Sequence, residues 1–238
     1  MVLTVLFFGG QGGGKKTKSS ILQIGYLFKV VLSQSKKVSF EMLNAKEYSE
    51  KWFHKKLASH PRAFYLLCFY SELISKFSPK VSEHDDLDLD GEVHGGLFRL
   101  LSNGIFQLEK SVVEENYSHY DSLFIFLVKA LVELGIFPRT ENCSISGSKI
   151  EDSSKIILIP SNGGFAFHSM VEAEVQRLTD GETGQIIRKA ILEVAAAKYG
   201  EISTIEGLNS DCCKELLEYI CFQQNINIRD FKTASMIF

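Results

Sequence analysis

Leu123, Phe126, Leu127, Ala130, Leu131 and Leu134 recur at i, i+3, i+4, i+7, i+8 and i+11. That spacing places them on one face of a helix over 121–134. Asp121 or Ser122 is expected to cap its start, because a short side-chain oxygen can accept from the free first-turn amides. Gly135 ends it by tolerating positive φ, and Pro138 bars its return. Only Lys129 and Glu133 interrupt the apolar surface, so the helix is expected to be mostly buried. A second helical pattern, Phe64, Leu67, Cys68, Ile74 and Phe77, stops at Pro79, and further helical stretches cover 96–108, 170–178, 184–198 and 211–223. The chain before residue 60 reads differently. Runs at 3–8, 21–32 and 37–42 are rich in β-branched and aromatic residues and predict strands. Late in the chain, 156–159 and 165–167 flank Pro160-Ser161-Asn162-Gly163-Gly164, a turn-rich stretch that predicts a β-hairpin. Strands followed by helices give an α+β fold class.

A chain of 238 residues suggests one or two domains and can bury a real core. Hydrophobic content of 45% and charged content of 23% are ordinary for a globular protein. The five cysteines, Cys68, Cys143, Cys212, Cys213 and Cys221, are few and odd in number and read as reduced thiols. Residues 1–8 are apolar but too short for a signal peptide. No run reaches the length of a membrane span, so a cytoplasmic location and no membrane partner are expected. The net charge of −3 hides an asymmetry: residues 1–62 carry eleven Lys/Arg against three acids, a net +8 that leaves −11 for the remainder. A basic head suits a polyanion, since each neutralised phosphate releases counterions. A solvated lysine surface is the plainer alternative on charge alone.

Gly9-Gly10-Gln11-Gly12-Gly13-Gly14-Lys15-Lys16-Thr17-Lys18 forms a glycine-rich basic loop. Gly9-x-x-x-x-Gly14-Lys15 matches most of a P-loop, whose amides cradle phosphates, and the segment resembles the opening of ParA/MinD-type ATPases. Lys16, however, stands where the magnesium-binding Ser or Thr belongs, and no later apolar strand ends in an Asp to hold the metal. A flexible basic loop is the favoured reading, with a P-loop ATPase as the alternative. Asp86-Leu87-Asp88-Leu89-Asp90-Gly91 copies the first half of an EF-hand loop, but the twelfth position is Leu97 instead of Glu. It reads as a solvated linker. No paired carboxylates, Ser/His/Asp grouping or activated Cys/His stands out, so no catalytic residue is assigned and no enzyme activity is expected.

Leu134-Gly135-Ile136-Phe137-Pro138, followed by Cys143-Ser144-Ile145-Ser146-Gly147, resembles the apolar helix and C-x-x-C-G knuckle of the DNA-repair protein family RecO. That family completes the knuckle with G-G-x-x-C-x-x-C, and Gly163 to Met170 stands at the matching place. The second, third and fourth cysteines have become Ser146, Phe167 and Met170. One cysteine cannot hold zinc, so neither a metal nor another cofactor is expected, and Phe165, Phe167 and Met170 are expected to fill the space by apolar packing. The Glu-Leu pair Glu72-Leu73 and the Ser/Thr-bearing tail 227–238 also resemble the family.

The resemblance implies an OB-like, nucleic-acid-binding barrel over 1–60, shortened or incomplete, because a five-stranded barrel needs more residues than this. A helical domain over 61–238 would follow, with a degenerate zinc-finger-like insertion at 140–172. It implies binding of single- and double-stranded DNA, annealing of complementary strands, cooperation with RecR, contact with the C-terminal tail of single-strand-binding protein, and indirectly the loading of RecA. Lys15, Lys16, Lys18, Lys29, Lys36 and Lys37 would contact phosphates without reading sequence. Phe7, Phe8, Tyr26 and Phe28 are candidates to stack on bases, with about half of them core by strand alternation. A partner-binding scaffold that has lost DNA binding is a further alternative.

Overall fold

The structure is a computed structural model. It describes residues 4–6, 23–33, 42–78, 96–178 and 181–238. The chain divides into two compact units, Met1–Glu109 and Lys110–Phe238. The fold is α+β, as the order of patterns predicts.

In the first unit, β1 (Thr4–Leu6), β2 (Leu27–Ser33) and β3 (Met42–Trp52) form a sheet in the order β1-β3-β2. β1 lies parallel to β3, and β2 lies antiparallel to it. Among the described residues this sheet is open and closes no barrel. β3 extends ten residues beyond the strand predicted over 37–42, of which only Met42 is described. Its polar run, Lys46 to Lys51, hides the period of two because the register slips twice. Val31 pairs with Glu47 and Leu32 with Ala45, which leaves Lys46 over; Leu27 pairs with Trp52 and Phe28 with Glu50, which leaves Lys51 over. Each slip is a β-bulge, where the extra residue turns the strand and loses its ladder partner.

α1 (Pro61–Phe77) follows a short 3-10 turn, Leu57–Ser59. Pro61 occupies the first helical position, where its fixed φ suits the helix and no amide hydrogen is lost. His60 Nδ1 caps the start by accepting from the Ala63 amide at 3.2 Å. The buried face is Leu66, Leu67, Phe69, Tyr70, Leu73, Ile74 and Phe77. The predicted stripe is therefore displaced, since Phe64 and Cys68 are only half-buried. α2 (Gly96–Val113) runs five residues past its predicted end and buries Leu100, Ile105 and Leu108.

The second unit is built on α3 (His119–Leu134), which packs against α5 (Glu182–Ala196) and α6 (Ser210–Gln223). α3 buries every residue from Leu123 to Val128, more than the single face its periodicity shows. Burying one such side chain stabilises by about 1.5–3 kcal/mol, so this helix anchors the unit. Gly135 ends it with φ +67°, as predicted. Its start differs from expectation. Ser118 is the N-cap, and buried Asp121 does not cap the helix; its carboxylate accepts from the Ile205 amide at 3.0 Å. Lys129, on the polar interruption, donates to the Val194 carbonyl at 2.7 Å and the Ala197 carbonyl at 2.5 Å. A cation there complements the carbonyl end of α5.

β4 (Ile156–Ile159) and β5 (Gly164–Phe167) form the predicted antiparallel hairpin around a 3-10 turn, Pro160–Asn162. α4 (Ala173–Leu178) is short. α5 crosses β4 so closely that a Cβ on Gly184 would fall on the Ile156 carbonyl. Gln223 at the end of α6 donates to the Pro160 carbonyl at 2.7 Å and ties the hairpin turn to the bundle. Among the described residues, no helix is long and apolar enough to cross a membrane.

Candidate nucleic-acid interface and the Cys143 knuckle

Of the six lysines expected on phosphates, Lys29 is described: it is exposed on β2, opposite Ser49. Lys15, Lys16, Lys18, Lys36 and Lys37 lie outside the described residues, as do Phe7, Phe8, the P-loop-like stretch 9–18 and the EF-hand-like stretch 86–91. Sequence reasoning missed three further cations close to the sheet. Lys46 and Lys51 are the exposed bulge residues of β3, and Lys55 follows the strand. Among the described residues no carboxylate forms an ion pair with Lys29, Lys46, Lys51 or Lys55.

A chain of aromatic rings runs through the same unit and meets one of these cations, Lys55. Tyr26 lies 6.3 Å from Phe28, 5.7 Å from Phe53 and 5.0 Å, edge-on, from His54. Phe28 meets Tyr48 edge-on at 6.1 Å. The Lys55 ammonium stands 5.7 Å above the Phe53 ring, a cation–π distance. Tyr26, Phe28 and Tyr48 are half-buried and Phe53 is exposed, so part of each ring remains on the surface. The signal that could have found this group is Trp52-Phe53-His54-Lys55-Lys56, two rings and two cations in five residues.

Two contacts hold the group in place. His54 is buried and donates from Nε2 to the Ile24 carbonyl at 3.0 Å, which fixes its tautomer and fastens the turn before β2. The Glu109 carboxylate of α2 accepts from three successive amides, Lys55 at 2.7 Å, Lys56 at 3.0 Å and Leu57 at 3.0 Å. Successive amides aimed at one point make an anion nest, and here the protein's own carboxylate fills it. The backbone beneath Lys55 is thereby fixed.

In the second unit the knuckle keeps its turn. The Gly147 amide donates to the Cys143 carbonyl at 2.8 Å, with Gly147 at φ +73°, and the Cys143 amide donates to the Ser148 carbonyl at 2.8 Å. The Ser144 amide donates to the Phe165 carbonyl at 2.7 Å, and Arg139 bridges Gly164, so the knuckle lies against β5. Arg188 of α5 secures the approach by donating to the Thr140 carbonyl at 2.7 Å. The Cys143 sulfur is buried and accepts from the amides of Ser146 and Phe167, each at 3.5 Å. Burial pushes this thiol up, but hydrogen bonds from the Ser146 side chain and from the amides of Ser146, Phe167 and Ile145 outweigh it, bringing the pKa down to about 7. Burial instead raises Cys68, Cys212 and Cys213, and pushes Cys221 up to about 12.

The donor set does not fit a zinc ion. Ser146, Phe167 and Met170 occupy the other three ligand positions, and among the described residues no three His, Cys, Asp or Glu side chains converge. The apolar filling also differs from expectation. Phe165 is fully buried and Phe167 half-buried, whereas Met170 is 47% exposed and fills nothing.

A bundle carrying a knuckle and a hairpin is the setting in which the comparison with known families falls. Residues 85–168 match the family described as recombination protein O, C terminal. That match takes in α3, the knuckle and the hairpin, and it places the chain among proteins of DNA repair and recombination. Over these residues the chain is similar to the C-terminal domain of the RecO family. A search of curated proteins finds no match.

Proposed function

We propose that this chain is a non-catalytic mediator of DNA repair in the cytoplasm. It binds single- and double-stranded DNA and anneals complementary single strands. With RecR, and through the tail of single-strand-binding protein, it helps RecA load onto coated strands. The observation that carries the reading is the family match over 85–168. The exposed Lys29, Lys46, Lys51 and Lys55 of the same unit, the last of them set over the Phe53 ring, support it, because cations track a backbone while rings receive bases of any sequence.

The test is a salt titration of single-stranded DNA binding, comparing the wild type with Lys15/Lys16/Lys18→Glu. Binding that weakens steeply with salt, and is reduced in the variant, supports the mediator. Negligible binding by both proteins, with RecR contact retained, rejects it in favour of a partner-binding scaffold.

A further inference from the structure

We propose that the first unit contains a pocket for a single unstacked nucleobase, an inference that rests on the DNA-binding reading above. The pocket has a volume of about 440 Å³, within the roughly 300–1,000 Å³ of small-ligand sites. The rings of Tyr26, Trp52, Phe98 and Phe106 line it. Trp52 and Phe106 stand 6.2 Å apart with their planes inclined at 51°. They form an open jaw and not a closed stack. Phe98 is 58% exposed and Phe106 51% exposed, so the jaw faces solvent instead of completing a core.

Three features select a base over an apolar side chain. First, the lining includes Ser102 and Asn103. A carboxamide offers both donors and an acceptor, the complement of a base edge. Second, the wall continues into a cationic track. Tyr26 of the pocket touches Phe53 at 5.7 Å, and the Lys55 ammonium stands 5.7 Å above that ring. A phosphate at Lys55 therefore leaves one base above Phe53 and delivers its neighbour to the pocket. Third, the exposed bulge residue Lys51 immediately precedes the lining residue Trp52 in β3, so a second cation neighbours the pocket along the strand. An apolar peptide would need neither the amide edge nor the cations.

Trp52 is the sole tryptophan and therefore reports on the pocket directly. Full-length protein is titrated with a labelled oligothymidylate and with an abasic strand of the same length, following label anisotropy and Trp52 emission together. The base-bearing strand is expected to quench Trp52 and to bind roughly tenfold more tightly than the abasic one, the scale of one stacked base. Asn103→Ala and Phe106→Leu should each bring oligothymidylate towards the abasic affinity while leaving abasic binding unchanged. Asn103 is exposed, so its variant tests the pocket without touching the core. Equal binding of both strands with unchanged Trp52 emission overturns the pocket and leaves the DNA-binding reading standing. Binding of neither strand overturns both. Quenching by an apolar peptide that oligothymidylate cannot displace assigns the pocket to a protein partner and overturns the proposal.

Discussion

Cys143 sits in a turn that is shaped for a thiolate. Two amides point at its sulfur, and burial alone would hold the proton on. Because the hydrogen bonds win, the folded thiol titrates near 7, below its ordinary value of 9.0. The sign of the linkage follows: an acid depressed by folding binds fewer protons than its unfolded form between those two values. Stability is therefore gained as pH rises from about 7 to about 9 and lost as pH falls back through about 7. Thiolate absorbance should show one step near pH 7, absent in Cys143→Ala, while Cys68, Cys212, Cys213 and Cys221 titrate far above it. Metal-free protein lacking that step would contradict the assignment. The turn is legible in the sequence through Cys143-x-x-Ser146-Gly147 and the loss of three ligands. The ionisation is not, because it depends on the Phe167 amide arriving from a strand 24 positions away.

Among the elements, legibility follows the regularity of the pattern. α3, the β4–β5 hairpin and the Gly135 stop are readable because apolar spacing and turn chemistry agree there. β3 is not, because two bulges destroy its alternation and leave lysines in the breaks. The aromatic group around Tyr26 is half visible. Tyr26 and Phe28 stand out along the chain, but Phe53 and Lys55 join them only after the strand has turned back. The same limit applies to Glu109, which closes a nest more than fifty residues earlier in the chain. Its carboxylate serves three amides, and a hydrogen bond to a charged group contributes about 1.5–3 kcal/mol, partly replaced by water at an exposed site. Glu109→Ala should therefore lower stability by about 2–3 kcal/mol in denaturant unfolding. It should also weaken DNA binding, since the backbone under Lys55 loses its anchor. Glu109→Gln keeps one acceptor and should fall between the two. Unchanged unfolding in Glu109→Ala would show that the nest is filled by water at no cost.

For the whole molecule, the deciding quantity is where the charge lies, not its total. A chain of net −3 would be repelled by a polyanion if its charges were evenly spread. Here the first 62 residues carry +8 and the remainder −11, so attraction is confined to one end of the sequence. Counting charges along the chain is enough to find this asymmetry. Counting charges does not locate a protein-binding surface, because no motif in the sequence marks one. The asymmetry has a measurable consequence. Contact of Lys15, Lys16, Lys18, Lys29, Lys36, Lys37, Lys46, Lys51 and Lys55 with phosphates of a single strand implies a slope of log K against log salt of about −6, at about 0.7 per phosphate. Lys15/Lys16/Lys18→Glu removes a third of those contacts and should bring the slope to about −4. A base held in the aromatic pocket adds affinity without changing the slope, because stacking releases no counterions. The two contributions therefore separate in one data set: lysine variants change the slope, and Asn103→Ala or Phe106→Leu shifts the line in parallel. A wild-type slope shallower than about −1 would mean that fewer than two phosphates are neutralised, and the basic end would then have to be read as a solvated surface.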